Sequence, residues 1–158
     1  DESDHQHAGE YFDADADALL ATGMTGVSGA IDHVVATYRY ADGRYAVLEG
    51  GWALANPRPF EMSIMVHGEK GTLEWSSDGG DHVRLYDGRR LELIPCTGDA
   101  YQREVDYFID CIQSGRAPER CLPASSRVSV ALAWLEQRAI ETHKVIPLSA
   151  RLRAAWMR

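Results

Sequence analysis

The side chains best placed to do chemistry recur at alternate positions. In residues 60–67, Glu61, Ser63, Met65 and His67 alternate with Phe60, Met62, Ile64 and Val66. A period of two puts each set on its own side of an extended chain. His33, Thr37 and Arg39 share one parity in HVVATYRY, residues 33–40. If strand order brings the two runs together, all seven polar-side residues project from one sheet face. Mixed donors and acceptors on a rigid sheet suit a hydroxylated ligand, because every hydroxyl both donates and accepts. The competing account is a face that is solvated or packed against another subunit. Trp52, closing EGGW, has a flat ring that could stack on a sugar, although its apolar neighbours favour a core position.

Other constellations carry less. Asp13, Asp15 and Asp17 have the spacing that opens a calcium loop, but Ala18 and Met24 stand where that loop needs Gly and Glu. A solvated acidic segment is the better account. His5 and His7, with Asp1 and Asp4, would chelate a metal only by ordering a chain terminus, so no metal site is expected. GxSxG, HExxH, Walker A and the Rossmann glycine fingerprint are all missing. Gly68-Glu-Lys-Gly71 lacks the spacing and following helix of a phosphate loop and reads as a tight turn. No cofactor is expected to be held by this chain alone.

The elements that must position these residues are mostly strands. Residues 33–40 and 45–52 flank Ala-Asp-Gly-Arg, and Asp87-Gly88 joins 82–86 to 89–94. Asp-Gly between β-prone runs predicts a hairpin, since Gly takes the positive φ of the turn. Val83 and Leu85, then Leu91 and Leu93, repeat the alternation. Two helices follow. Asp99 caps the first, with Gln102 as a capping-box partner. Tyr101, Val105, Phe108 and Ile112 form its stripe, and Gly115 stops it. The second runs from about Ser125 to His143 with Val128, Leu132, Leu135 and Ala139 inward. The expected class is α+β: an open-faced, mainly antiparallel sheet with helices on one face. Asp13 to Leu20 is either the start of a short helix or an acidic arm. The expected organisation is a 1–28 acidic segment, a 29–148 domain and a 149–158 tail.

With 158 residues, one domain is the expectation. A net charge of −8 with the signs mixed argues against nucleic acid and an anionic membrane surface. No apolar run approaches the roughly 18 residues that span a bilayer. Cys96, Cys111 and Cys121 are odd in number and lack CxxC spacing, so a reduced, cytoplasmic setting is the default, with Cys111 buried in its helix.

Three stretches in order, EGGWALANPRPF (49–60), VHGEKGTLEW (66–75) and DAYQREVDYFIDCIQSG (99–115), resemble the C-terminal domain of the Gfo/Idh/MocA family of NAD(P)-dependent oxidoreductases. The resemblance covers roughly Gly29 to Leu148. It implies a domain that contributes to a sugar or polyol pocket; the substrate-facing candidates, read from the sheet-face alternation and the Trp52 ring, are His33, Arg39, Trp52, Glu61, Ser63 and His67. It also implies a homo-oligomer formed through the open sheet face, and NAD or NADP for the full-length enzyme. The family's nucleotide-binding domain and EKP lysine have no counterpart here; Lys70 in GEKG lacks the proline. FDADADALLATG (12–23) matches only the acidic positions, Asp15 and Asp17, of the family's DxHxHDxD pattern. The resemblance therefore implies no catalytic residue in this chain. The alternative is a non-catalytic dimerisation module that uses the same face.

Overall fold

The computed structural model describes residues 16–52, 59–120 and 122–148, and confirms an α+β architecture of antiparallel sheets and two helices. The chain divides into two compact units, Asp1–Ala55 with Glu119–Arg158, and Asn56–Pro118. The 29–148 domain expected from sequence spans both. The strands divide likewise, into two four-stranded sheets.

The first unit holds β1 (Ala16–Thr25), β2 (Ile31–Tyr40), β3 (Tyr45–Gly51) and the two-residue β8 (Ile146–Pro147), in the order β3-β2-β1-β8. Its helix, α2 (Pro123–Thr142), packs on β1. Asp42-Gly43 makes the β2–β3 turn: Gly43 sits at φ 90°, and Asp42 Oδ1 accepts from the Arg44 amide at 3.0 Å. The described part of the 13–20 stretch is strand rather than helix or arm. Leu19 and Ala21 are buried while Leu20 and Thr22 are exposed, so the inward positions repeat every second residue, and β2 and β8 pair with both edges. A bulge between Ala16 and Ala18 weakens that alternation at the strand's start.

By register, Leu19, Ala21, Ala36, Tyr38 and Tyr40 share the face under α2, where Ala139, Ile146 and Leu148 complete the core. Val128, Leu132, Leu135 and Ala139 are the buried or half-buried side of α2, as the helical spacing predicts. Tyr38 reaches across to donate to Glu136 Oε1 at 2.5 Å. The helix begins two residues before Ser125 because Pro123 fits its first turn, and it ends at His143 in a left-handed conformation.

The second unit holds β4 (Ser63–Gly68), β5 (Gly71–Ser76), β6 (His82–Tyr86) and β7 (Leu91–Pro95) as a meander, followed by α1 (Ala100–Ser114). Gly68 and Gly71 pair across the expected tight turn. Asp99 accepts from the Gln102 amide at 3.0 Å, but the Gln102 side chain donates to Asp106 one turn on rather than reaching back. Gly115, at φ 66°, closes the helix as expected. Cys111 is buried, whereas Tyr101, Val105, Phe108 and Ile112 are exposed.

Candidate functional site

Each unit carries its own polar cluster. In the first, the register puts His33, Val35, Thr37 and Arg39 of β2 on the open face, away from α2. Leu20, Thr22 and Met24 of β1 and Tyr45, Val47 and Glu49 of β3 flank them there. His33 is half-buried, and its Nε2 lies 3.1 Å from Glu49 Oε1, while Arg39 is exposed. The face is therefore amphipathic: a His–carboxylate pair, threonines and a guanidinium set among exposed Leu20, Met24, Tyr45 and Val47.

Trp52 lies elsewhere. It is 74% exposed, which overturns the core position its neighbours favoured, and it belongs with Asp32 rather than His33. Its amide donates to the Asp32 carbonyl at 3.0 Å and its indole N–H to Asp32 Oδ1 at 3.1 Å. Asp32 has the parity of Val34 and Ala36, so the indole is on the α2 side of the sheet. The Asp32 carboxylate is 1% exposed. It also accepts from the Gly26 amide at 2.6 Å, the Ser28 amide at 3.2 Å and the Ser28 hydroxyl. The Ser28 hydroxyl foremost, with backbone N–H groups of the β1–β2 turn, holds its pKa below the ordinary 3.8, at about 2. A buried carboxylate supplied with this many donors is a stable anion that fixes the turn and the tryptophan together.

In the second unit, Ser63, Met65 and His67 of β4 share a face with Thr72, Glu74 and Ser76 of β5 and Arg84 and Tyr86 of β6. His67 Nδ1 meets Thr72 Oγ1 at 3.1 Å. Tyr86 donates to Glu74 Oε2 at 3.1 Å, and Arg84 approaches Glu74 Oε1 at 3.7 Å. The Glu74 carboxylate, by accepting the phenol proton, raises the Tyr86 pKa above 10.0, so Tyr86 offers a hydroxyl rather than a base. Leu91 and Leu93 fall on this same face, while Val83 and Leu85 lie opposite with Ile64 and Val66. The four-residue β6–β7 connection sets that register and so reverses which of the β7 residues join the apolar side.

The six sequence-proposed residues thus divide between the units: His33, Arg39 and Trp52 in one, Glu61, Ser63 and His67 in the other. Asp32, Ser28, Glu49, Glu74, Arg84 and Tyr86 are partners that sequence reasoning missed. Each acts through a cross-strand or turn neighbour that linear spacing does not display. Among the described residues no group of three His, Cys, Asp or Glu side chains lies close enough to hold a metal, and no helix is long and apolar enough to cross a membrane. His5, His7, Asp13 and Asp15 lie outside the described residues.

No protein-family model matches the chain, and no curated protein matches it. Solved structures do. An aldose-aldose oxidoreductase from Caulobacter crescentus, complexed with glycerol, is 17% identical with a TM-score of 0.69, covering 85% of this chain and 42% of its own. UDP-N-acetylglucosamine 3-dehydrogenase GnnA from Acidithiobacillus ferrooxidans is 20% identical with a TM-score of 0.67, covering 80% and 41%. The WlbA dehydrogenase from Bordetella pertussis, in complex with NADH and UDP-GlcNAcA, is 23% identical with a TM-score of 0.58, covering 85% and 39%. The chain spans less than half the length of each. Its fold is that of a part of sugar oxidoreductases.

Proposed function

We propose that this chain is the substrate-binding and oligomerisation domain of an NAD(P)-dependent sugar or polyol oxidoreductase, corresponding to the C-terminal domain of the Gfo/Idh/MocA family. The observation that carries the reading is the fold likeness, which takes in 80–85% of the chain and is shared with oxidoreductases of aldoses and nucleotide sugars. The open faces support it chemically. His33–Glu49 and Thr37 in one unit, and Ser63, His67–Thr72 and Tyr86–Glu74–Arg84 in the other, are the mixed donors and acceptors that hydroxyls require. In this reading NAD or NADP is held by another part of the enzyme, and hydride transfer to or from a ring or chain hydroxyl takes place only when that part is present. Proton transfer needs a group of matched pKa at the substrate hydroxyl, and we assign that role to no residue of this chain.

The test is a titration of the chain with NADH and, separately, with myo-inositol and glycerol, followed by amide NMR shifts. The reading expects amide shifts on the open faces with polyol and no enhancement of NADH fluorescence. Saturable enhancement at micromolar NADH, or turnover of a polyol by the chain alone, would overturn it. The exposed Leu20, Met24, Tyr45 and Val47 favour a second reading, a dimerisation module without ligand. A stable dimer in sedimentation with no response to polyol would select that one.

A further inference from the structure

We infer that the Trp52 indole is a fixed stacking platform for a cyclic hydroxylated ligand, held in place by Asp32. The inference rests on the substrate-binding reading and adds to it a ring-selective contact on the α2 side of the sheet, apart from the open-face residues. A tryptophan that is 74% exposed normally gains little from being ordered, since rotamer freedom is lost and little apolar surface leaves water. This one is nevertheless tied twice to one residue, through its amide and its indole N–H. Asp32 is in turn buried and fixed by Gly26 and Ser28. The ring edge is thus occupied while its surface stays in solvent. The two residues before it in β3 are glycines, and Gly50 has open space where a side chain would stand. An aromatic surface with its polar edge already satisfied offers a ligand only its face. Such a face complements the C–H face of a sugar or inositol ring and has nothing comparable to offer a flexible chain.

The probes are methyl β-D-glucopyranoside and myo-inositol, with glycerol as the ringless control, against the full chain and its Trp52→Ala, Trp52→Phe and Asp32→Asn variants. The readouts are the Trp52 indole N–H resonance and saturation transfer from ring protons. The cyclic probes are expected to shift that resonance and glycerol to leave it still. Trp52→Ala should weaken cyclic binding about twofold to tenfold, the worth of one aromatic contact, and Trp52→Phe should retain part of it. Asp32→Asn should broaden or move the indole resonance before any ligand is added. If cyclic probes shift open-face amides while Trp52 is silent and its alanine variant binds equally, the platform is refuted and the substrate-binding reading stands. If neither region responds to any probe, both fall.

Discussion

The two glycines of EGGW should behave oppositely when each is replaced by alanine. At Gly51 an added Cβ would lie 2.8 Å from the Asp32 carbonyl oxygen and 2.7 Å from His33 Nδ1. Restoring an ordinary separation of about 3.5 Å requires a retreat of roughly 0.7 Å. Neither neighbour yields freely. The carbonyl is backbone and accepts the Trp52 amide, and the imidazole is held at its other nitrogen by Glu49. Overpacking of this kind costs about 1–3 kcal/mol. At Gly50 nothing stands within 4 Å of the added atom. The same substitution there should change stability by no more than about 0.5 kcal/mol. Urea unfolding of the two variants gives the energies, and the Trp52 backbone amide resonance reports whether the Asp32 carbonyl has moved. Equal losses at the two positions, or a Gly51→Ala protein as stable as the parent with an unmoved Trp52 amide resonance, would refute the close approach of β2 and β3 at this end of the sheet.

Leu19→Ala, which empties a fully buried core position, should cost about 2–5 kcal/mol, while Leu20→Ala on the open face should cost at most about 0.5 kcal/mol, both by urea unfolding. The lowered pKa of Asp32 gives acid unfolding a definite sign. Its contribution is fully present above the unfolded carboxylate value of 3.8 and is lost as pH falls toward about 2. Asp32→Asn should therefore flatten the decline of stability across that window, and an unchanged slope would contradict the network. His143→Gly should stabilise α2 by about 0.5–1 kcal/mol, because His143 closes the helix at φ 54°, where a side chain strains and glycine does not.

Local physics is what the sequence made legible. The Asp-Gly turns, the Asp99 cap and the Val128–Leu132–Leu135–Ala139 stripe each depend on residues a few positions apart, and each appears where its spacing predicts. What depended on pairing was hidden. The apolar sequence neighbours of Trp52 predict a core position, yet its place is decided by Asp32, twenty residues earlier and on the adjacent strand. The β1 strand was hidden for a related reason. Its acidic start and its bulge obscure the alternation that only the pairing with β2 makes plain.

The division into two sheets bears directly on what the candidate residues can do. A shared parity in two runs assigns residues to one face only when the runs belong to one sheet, and His33 and His67 do not. Their polar partners are accordingly local: Glu49 for His33, Thr72 for His67, Glu74 for Tyr86. Each such pair is formed across one strand-to-strand contact and presents a fixed arrangement of donors and acceptors without needing the other unit. Fixed hydrogen-bonding pairs on the open faces are suited to orienting hydroxyls, whereas the buried Asp32 carboxylate is engaged by its own turn and by Trp52. Tyr86 keeps its proton and Asp32 keeps its charge, so neither is poised to exchange a proton near neutral pH. Under the function proposed above, these sheets would recognise substrate while the nicotinamide is held elsewhere.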